Sequence, residues 1–329
     1  MPENPVASPA STGGAGTFFE QHVAAYWLAQ LLVGGIPPIL IETVVAEVSF
    51  QTEHLGWQTD DFMVDCEGPG GRRRKLVGQV KLSFTVSAMD DYCRTAISDF
   101  WKDFTSQGRF SPDDDCFVLV VLRGTNVLLE DFVSLLQCAR AAPDGDAFAQ
   151  RLATPGFVSR KAVQYCDALR EIVGDLEGEA VAAAKIWSFL RLLHVLSLDL
   201  NTSTRQAEAQ IKALLAHTVR DGDPLAVAAN TWDALLAFAS TAVPEARSLR
   251  RADLPAELQR HGSVAGRERK ILQNLKEHSR PVLERIKGTI GADVHLPRAE
   301  LVQQVLSELT TAQVVLVSGP AGSGKVGHR

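Results

Sequence analysis

The stretch WQTDDFMVDCEGPGGRRRKLVGQVKLS, Trp57 to Ser83, decides how the rest of the chain is read. Phe62, Val64, Val77, Val80 and Leu82 supply the apolar positions of two β-strands, and Gly68 to Gly71 supply the reversal between them. Strand side chains alternate faces, so Gln79 and Lys81 point to one side while Val80 and Leu82 point to the other, which is apolar. In the first strand Asp61, Met63 and Asp65 share one face; Asp60, Phe62 and Val64 share the opposite one. Acids, an amide and a lysine thus converge on one rim of an otherwise apolar sheet. That donor set suits a metal ion handling phosphate.

Working outward, Thr17 to Val33 has helical apolar spacing and ends at Gly34-Gly35 and Pro37-Pro38; Glu20 falls in its first turn. The valine-rich segment Glu42 to Phe50 reads as a strand. After the hairpin, Ser87 to Ser106 returns to helical spacing, and CFVLVVLRG from Cys116 to Gly124 is a continuous apolar run of the buried-strand type. From Thr125 the periodicity predicts helices near 127–141, 145–154, 159–174, 178–197, 203–219, 223–240 and 264–287, with no further strand until the far C-terminus. The expected fold is α/β (α+β): a restriction-endonuclease-like mixed sheet flanked by helices, followed by an all-α region. The expected divisions are a flexible tail at 1–15, a core at 16–125, a helical extension at 126–290 and a last segment at 291–329.

Composition narrows the function classes. With 46% hydrophobic and 22% charged residues in 329, the chain is a folded protein with room for more than one domain. A net charge of -6 excludes a global positive field, so any nucleic-acid contact must come from a local basic patch. Cys66, Cys93, Cys116, Cys138 and Cys166 show neither a CxxC spacing nor an even count, which points to reduced thiols and a cytoplasmic location. The most apolar stretch, Leu28 to Val48, is broken by Pro37, Pro38, Glu42 and Glu47, so no membrane association is expected.

Phosphodiester hydrolysis needs a polarised phosphate, an activated water and charge relief at phosphorus, and Mg²⁺ (or Mn²⁺) supplies all three with one or two carboxylates as ligands. Asp61 is the candidate direct ligand, with Asp60 competing for the same role. Glu20 supplies a second carboxylate or holds a metal-bound water. Gln79 offers an amide oxygen where a strand acid would otherwise stand, and the Val80 carbonyl is a further candidate ligand. Lys81, on the same face as Gln79, stabilises charge on the phosphate or the attacking water. The basic run Arg72, Arg73, Arg74 and Lys75 is a candidate DNA-backbone contact. His22 and His54 read as ordinary core or surface histidines, and Trp57 and Trp101 as core.

The motifs GTFFE (Gly16 to Glu20), QTDDF (Gln58 to Phe62) and GQVKLS (Gly78 to Ser83) together resemble the PD-(D/E)XK nuclease superfamily. The likeness is greatest to its Gln-x-Lys branch, which includes Mrr-like enzymes and double-stranded DNA endonuclease effectors of antiphage systems. The resemblance spans residues 14 to 125. It implies metal binding by Asp61 and Glu20, a site role for Gln79, a catalytic role for Lys81, and hydrolysis of double-stranded DNA by assembled nuclease domains in a homo-oligomer. Gln79 in place of an acid departs from the (D/E)-x-K form and lowers the site's negative charge. Two other readings are a lapsed nuclease-like module whose helices form an interaction surface, and an RNA-directed nuclease.

Near the C-terminus, Gly319-Pro320-Ala321-Gly322-Ser323-Gly324-Lys325 follows a strand-like run and fits GxxxxGK, a phosphate cradle in which Gly319, Gly324 and Lys325 carry the motif. Val326 stands where the Mg²⁺-holding Ser or Thr belongs. The segment therefore reads as the truncated start of an NTPase module, resembling STAND-type NTPases, with ATP bound only by a longer protein.

Overall fold

The computed structural model describes residues 14–106, 108–122, 126–200, 205–219 and 222–260, together with 289–290, 294–295, 303 and 307. The chain divides into two compact units, Met1–Val264 and Ala265–Arg329. In the second, β7 (Thr289–Ile290) and β8 (Val294–His295) pair antiparallel. The expected tail at 1–15, apart from Gly14 and Ala15, the helix at 264–287 and the P-loop residues Gly319, Gly324 and Lys325 lie outside the described residues.

The first unit is built on a mixed sheet flanked by helices. Helix α1 (Gly14–Val33) leads into strands β1 (Val44–Phe50), β2 (Phe62–Glu67) and β3 (Arg73–Lys81), which form an antiparallel meander. Helix α2 (Asp91–Thr105) crosses to β4 (Cys116–Leu122), which lies parallel to β3. Next come α3 (Asn126–Ala141), α4 (Gly145–Ala153), α5 (Arg160–Glu177) and α6 (Ala183–Leu190). Then β5 (Leu193–Leu198), α7 (Gln206–Ala216), α8 (Pro224–Ala242), β6 (Ser248–Arg250) and α9 (Ala256–Gln259) complete the unit. The sheet order is β5-β4-β3-β2-β1-β6.

The strand-free expectation after Thr125 is corrected here. Strand β5 runs parallel to β4, with Phe117 opposite Leu193, and β6 pairs antiparallel with β1. Residues on both sides of the expected 125/126 boundary therefore share one sheet. The segment 178–197, read as one helix, is α6 followed by β5. Its apolar density fits either period, and burial in the sheet decides for a strand.

Alternation explains how each strand serves two cores. Phe62, Val64 and Cys66 of β2 and Val118 and Val120 of β4 join Trp27 of α1 in one core. Met63 of β2 and Phe117, Leu119 and Val121 of β4 join Phe100 of α2 in the other. With both faces covered, β4 is continuously apolar and almost wholly buried. Two glycine requirements fix the hairpin. Gly70 and Gly71 at its tip both hold positive φ, 71° and 79°, which side chains with a Cβ resist. Gly78 on β3 faces the Phe62 ring so closely that an added Cβ would lie 2.1 Å from it. Phe62, with the Trp27 ring tilted against it at 5.7 Å between centroids, thus packs directly on the β3 backbone and sets the approach of β2 to β3.

Candidate active site at the open end of β2 and β3

Pairing between β2 and β3 stops at Phe62 opposite Gly78, so the backbone N–H of Val80 has no strand partner on that side. The Asp61 side chain takes the place of the missing strand: its Oδ2 accepts the Val80 N–H at 2.6 Å. The same oxygen lies 3.9 Å from Lys81 Nζ. Both side chains are largely buried, at 17% and 21% exposure, which strengthens their interaction over that of a surface pair. From the other side of the sheet, α1 brings Glu20 to the same place. Glu20, Asp61, Phe62 and Val80 line one small cavity.

The electrostatics are those of crowded acids. Burial, and then repulsion from Asp61, pushes Glu20 up from 4.5 to about 7, with Lys81 opposing. Burial pushes Asp61 from 3.8 to about 6, against the pull of Lys81 and the Val80 N–H. Asp60 adds to the repulsion on both. Glu20 is held by Gln51, whose Nε2 donates to its Oε1 at 2.9 Å. Gln51 itself sits at φ 48°, a left-handed conformation that costs a residue with a Cβ about 1 kcal/mol or more. The strain is retained where the side chain reaches the acid cluster.

Two residues of α2 complete the arrangement, and neither is apparent from the sequence. Asp99 Oδ2 accepts a hydrogen bond from Gln79 Nε2 at 3.3 Å and raises the pKa of Asp61. Asp103, fully buried, accepts the backbone N–H groups of Gln58 and Thr59, the latter at 2.7 Å, and so anchors the loop that delivers Asp60 and Asp61. A helical acid gives no sequence signal until the packing of α2 on the sheet is known. The acidic first turn and helical spacing locate α2, not its partners.

Gln79 is 1% exposed, and its Oε1 has no hydrogen-bond partner. An orphaned buried amide oxygen costs about 1–3 kcal/mol, which a cation would offset. Among the described residues no group of three or more His, Cys, Asp and Glu side chains is arranged to hold a metal. The donors present are instead two hard carboxylates, Asp61 and Glu20, and an amide oxygen. That set fits Mg²⁺, which takes one or two carboxylates and completes its shell with water and phosphate, and does not fit an all-protein cage.

The other expected residues lie elsewhere. Arg72, Arg73, Arg74 and Lys75 occupy the opposite end of β3, on the order of 20 Å from Lys81 at the usual strand rise. There Arg72 pairs with Asp114 at 2.5 Å, and Lys75 lies over Trp57, 5.6 Å from its centroid. The structure does not bring this run to the acid cluster. His22 Nδ1 is bonded to the Phe18 carbonyl oxygen and His54 Nδ1 to that of Gln51, both at 2.8 Å. Trp57 and Trp101 are buried, and all five cysteines are free and buried. No described helix is long and apolar enough to cross a membrane.

No family model matches the chain, and no curated protein matches it. Two solved structures are similar to it. One is the Cap4 SAVED/CARF-domain containing receptor of Moraxella osloensis, at a TM-score of 0.40 and 13% identity over 70% of this chain and 44% of that one. The other is the Acinetobacter baumannii Cap4 SAVED/CARF-domain containing receptor with the cyclic trinucleotide 3'3'3'-cAAA, at 0.40 and 13% over 86% of this chain and 51% of that one. The chain spans about half the length of either. At this identity and score the likeness carries no inference about activity.

Proposed function

We propose that this chain is a divalent-metal-dependent endonuclease of the PD-(D/E)XK type that cleaves double-stranded DNA with low specificity. In this reading it is the N-terminal effector part of a STAND-type antiphage NTPase and works as a homo-oligomer. The observation that carries the reading is the meeting of Asp61 and Lys81 at 3.9 Å on one rim, with Glu20 close enough to repel Asp61. A sheet whose Asp61 carboxylate and Lys81 amine faced opposite sides would have argued for a lapsed site.

Asp61, Glu20 and the Gln79 amide oxygen are the residues that would hold the cation. Bound there, a divalent ion supplies Lewis-acid polarisation of the phosphate and acidification of a water. The protein's own part is preorganisation. The Val80 N–H fixes Asp61 Oδ2, Gln51 fixes Glu20, and Asp99 fixes the Gln79 amide. Lys81, 3.9 Å from Asp61 Oδ2, stabilises negative charge on the phosphate oxygens or the attacking water. Oligomerisation supports double-strand cleavage because one such rim per chain addresses one phosphodiester.

The test is cleavage of supercoiled plasmid with Mg²⁺ or Mn²⁺, including a chemically forced dimer. Lys81→Ala and Asp61→Ala should each lower the rate at least about 100-fold while the proteins remain folded. Cleavage that survives both substitutions, or none from a folded, dimerised wild type, rejects the reading.

A further inference from the structure

At the end of the sheet remote from Lys81, a cavity of about 430 Å³ opens where β4 and β5 begin. Three arginines line it: Arg74 from β3, Arg140 from the last turn of α3, and Arg191 at the C-terminal cap of α6. Each is oriented by something other than a carboxylate. Arg74 Nε donates to the Asp114 carbonyl and Arg140 Nη1 to the Leu193 carbonyl, both at 2.8 Å. The Arg191 guanidinium lies over the Trp187 ring, 5.3 Å from its centroid. Among the described residues none of the three forms an ion pair, whereas Arg72, Arg94 and Arg250 each do. A guanidinium anchored through one N–H to a carbonyl keeps most of its donors, and all of its charge, for a ligand.

Two acids also line the cavity. Asp115 is buried, and its oxygens accept the backbone N–H groups of Lys75 and Ser111 at 2.8 and 2.9 Å, so its acceptor capacity is directed inward. Asp113 is exposed. The walls stay net positive in a chain whose overall charge is -6. Arg140 has lost part of its hydration, which lowers its pKa from the ordinary arginine range. A convergent set of forked donors with uncompensated charge matches the tetrahedral oxygens of phosphate better than a single carboxylate. Trp187 adds a flat apolar wall, half-buried and fixed by its indole N–H on the Ala139 carbonyl at 2.8 Å. The volume falls within the range of roughly 300–1,000 Å³ usual for small-ligand sites.

We propose that this cavity is a binding site for the phosphate group of a mononucleotide-sized ligand, with Arg74, Arg140 and Arg191 on the phosphate and Trp187 beside the base. The proposal does not depend on the nuclease reading, since the cavity lies on the order of 20 Å from Asp61 and Lys81 along β3.

The test is calorimetric titration of the full chain carrying Lys325→Ala, which removes the lysine of the glycine-rich segment, with AMP, adenosine and a single-stranded oligonucleotide. AMP should bind saturably, one per chain, and adenosine should not. Arg140→Ala and Arg191→Ala should each weaken AMP at least about tenfold, with Arg140→Lys intermediate. Asp61→Asn should leave AMP binding unchanged, which separates this site from the nuclease rim. Thermal melts of the variants, and the charge-conserving Arg140→Lys, distinguish lost binding from lost folding. The proposal is overturned by no AMP binding up to about 10 mM. Equal binding of adenosine, AMP binding indifferent to both arginines, or binding of the oligonucleotide alone overturns it too.

Discussion

The two ends of β3 carry opposite chemistry. At the Lys81 end, acids crowd together: burial and then repulsion from Asp61 raise Glu20 to about 7, and burial, with smaller repulsion from Asp60 and Asp99, raises Asp61 to about 6, shifts that one lysine does not cancel. At the Arg74 end, three arginines are aimed by backbone carbonyls and an indole ring, outnumber the two acids that share their cavity, and form no ion pair among the described residues. A strand end is where backbone groups lose their partners, so side chains from other elements gather there to replace them. Asp61 does so for Val80 and Arg140 for Leu193. Each end is left with surplus charge, negative at one and positive at the other. Ligand chemistry follows from that sign: a cation and its phosphate ester at Lys81, an anion at Arg74.

The contrast is sharpest in the dependence of stability on pH. The folded chain holds the Glu20 and Asp61 protons more tightly than the unfolded chain, whose ordinary values are 4.5 and 3.8. Stability from these groups is therefore complete below about pH 4 and is lost as pH rises through 6 and 7. In EDTA, denaturant unfolding should show a loss on the order of 3 kcal/mol for the coupled pair between pH 4 and 8. Glu20→Gln should remove much of that slope; a slope unchanged by it would mean the acids are not crowded.

At the other end the sign reverses. His194 on β5 is pushed down from 6.5 to about 4 by burial and then by Arg140. Its stability contribution is present above pH 6.5 and is lost as pH falls toward 4. His194→Gln should flatten the acid limb by on the order of 2 kcal/mol, and Arg140→Ala by a smaller part of it. An acid limb steeper in either variant would contradict the assignment.

The smallest effect belongs to the hairpin arginine. Arg72 is 60% exposed at its side chain and pairs with Asp114 at the surface, so Arg72→Ala should change stability by less than about 1 kcal/mol. Plasmid cleavage should be nearly unaffected, because Arg72 stands at the end of β3 away from Lys81. A large loss of cleavage on this substitution would erase the distinction between the ends.

What the sequence makes legible follows from how local each signal is. The hairpin, α1 and β4 announce themselves through alternation, helical spacing and an uninterrupted apolar run. Alternation also places Gln79 and Lys81 on one face. Local patterns do not reveal β5, whose LHVLSL is as apolar as a buried helix, or β6, which is three residues long and is a strand only because β1 lies beside it. Asp99 and Asp103 are illegible for the same reason. Their partners Gln79, Gln58 and Thr59 lie 20 to 45 residues before them and meet them through the packing of α2. The basic run misleads differently. Arg72 to Lys75 is close to Lys81 in sequence, but an extended strand carries the two apart.

The most direct measurement is a calorimetric titration of Mn²⁺ into the full chain at pH 7.5, comparing wild type with Asp61→Asn and Arg140→Ala. Uptake should be saturable, weakened at least about tenfold by Asp61→Asn and unchanged by Arg140→Ala. No uptake by the folded wild type, or uptake indifferent to Asp61→Asn, would contradict a cation site at the Lys81 end of β3.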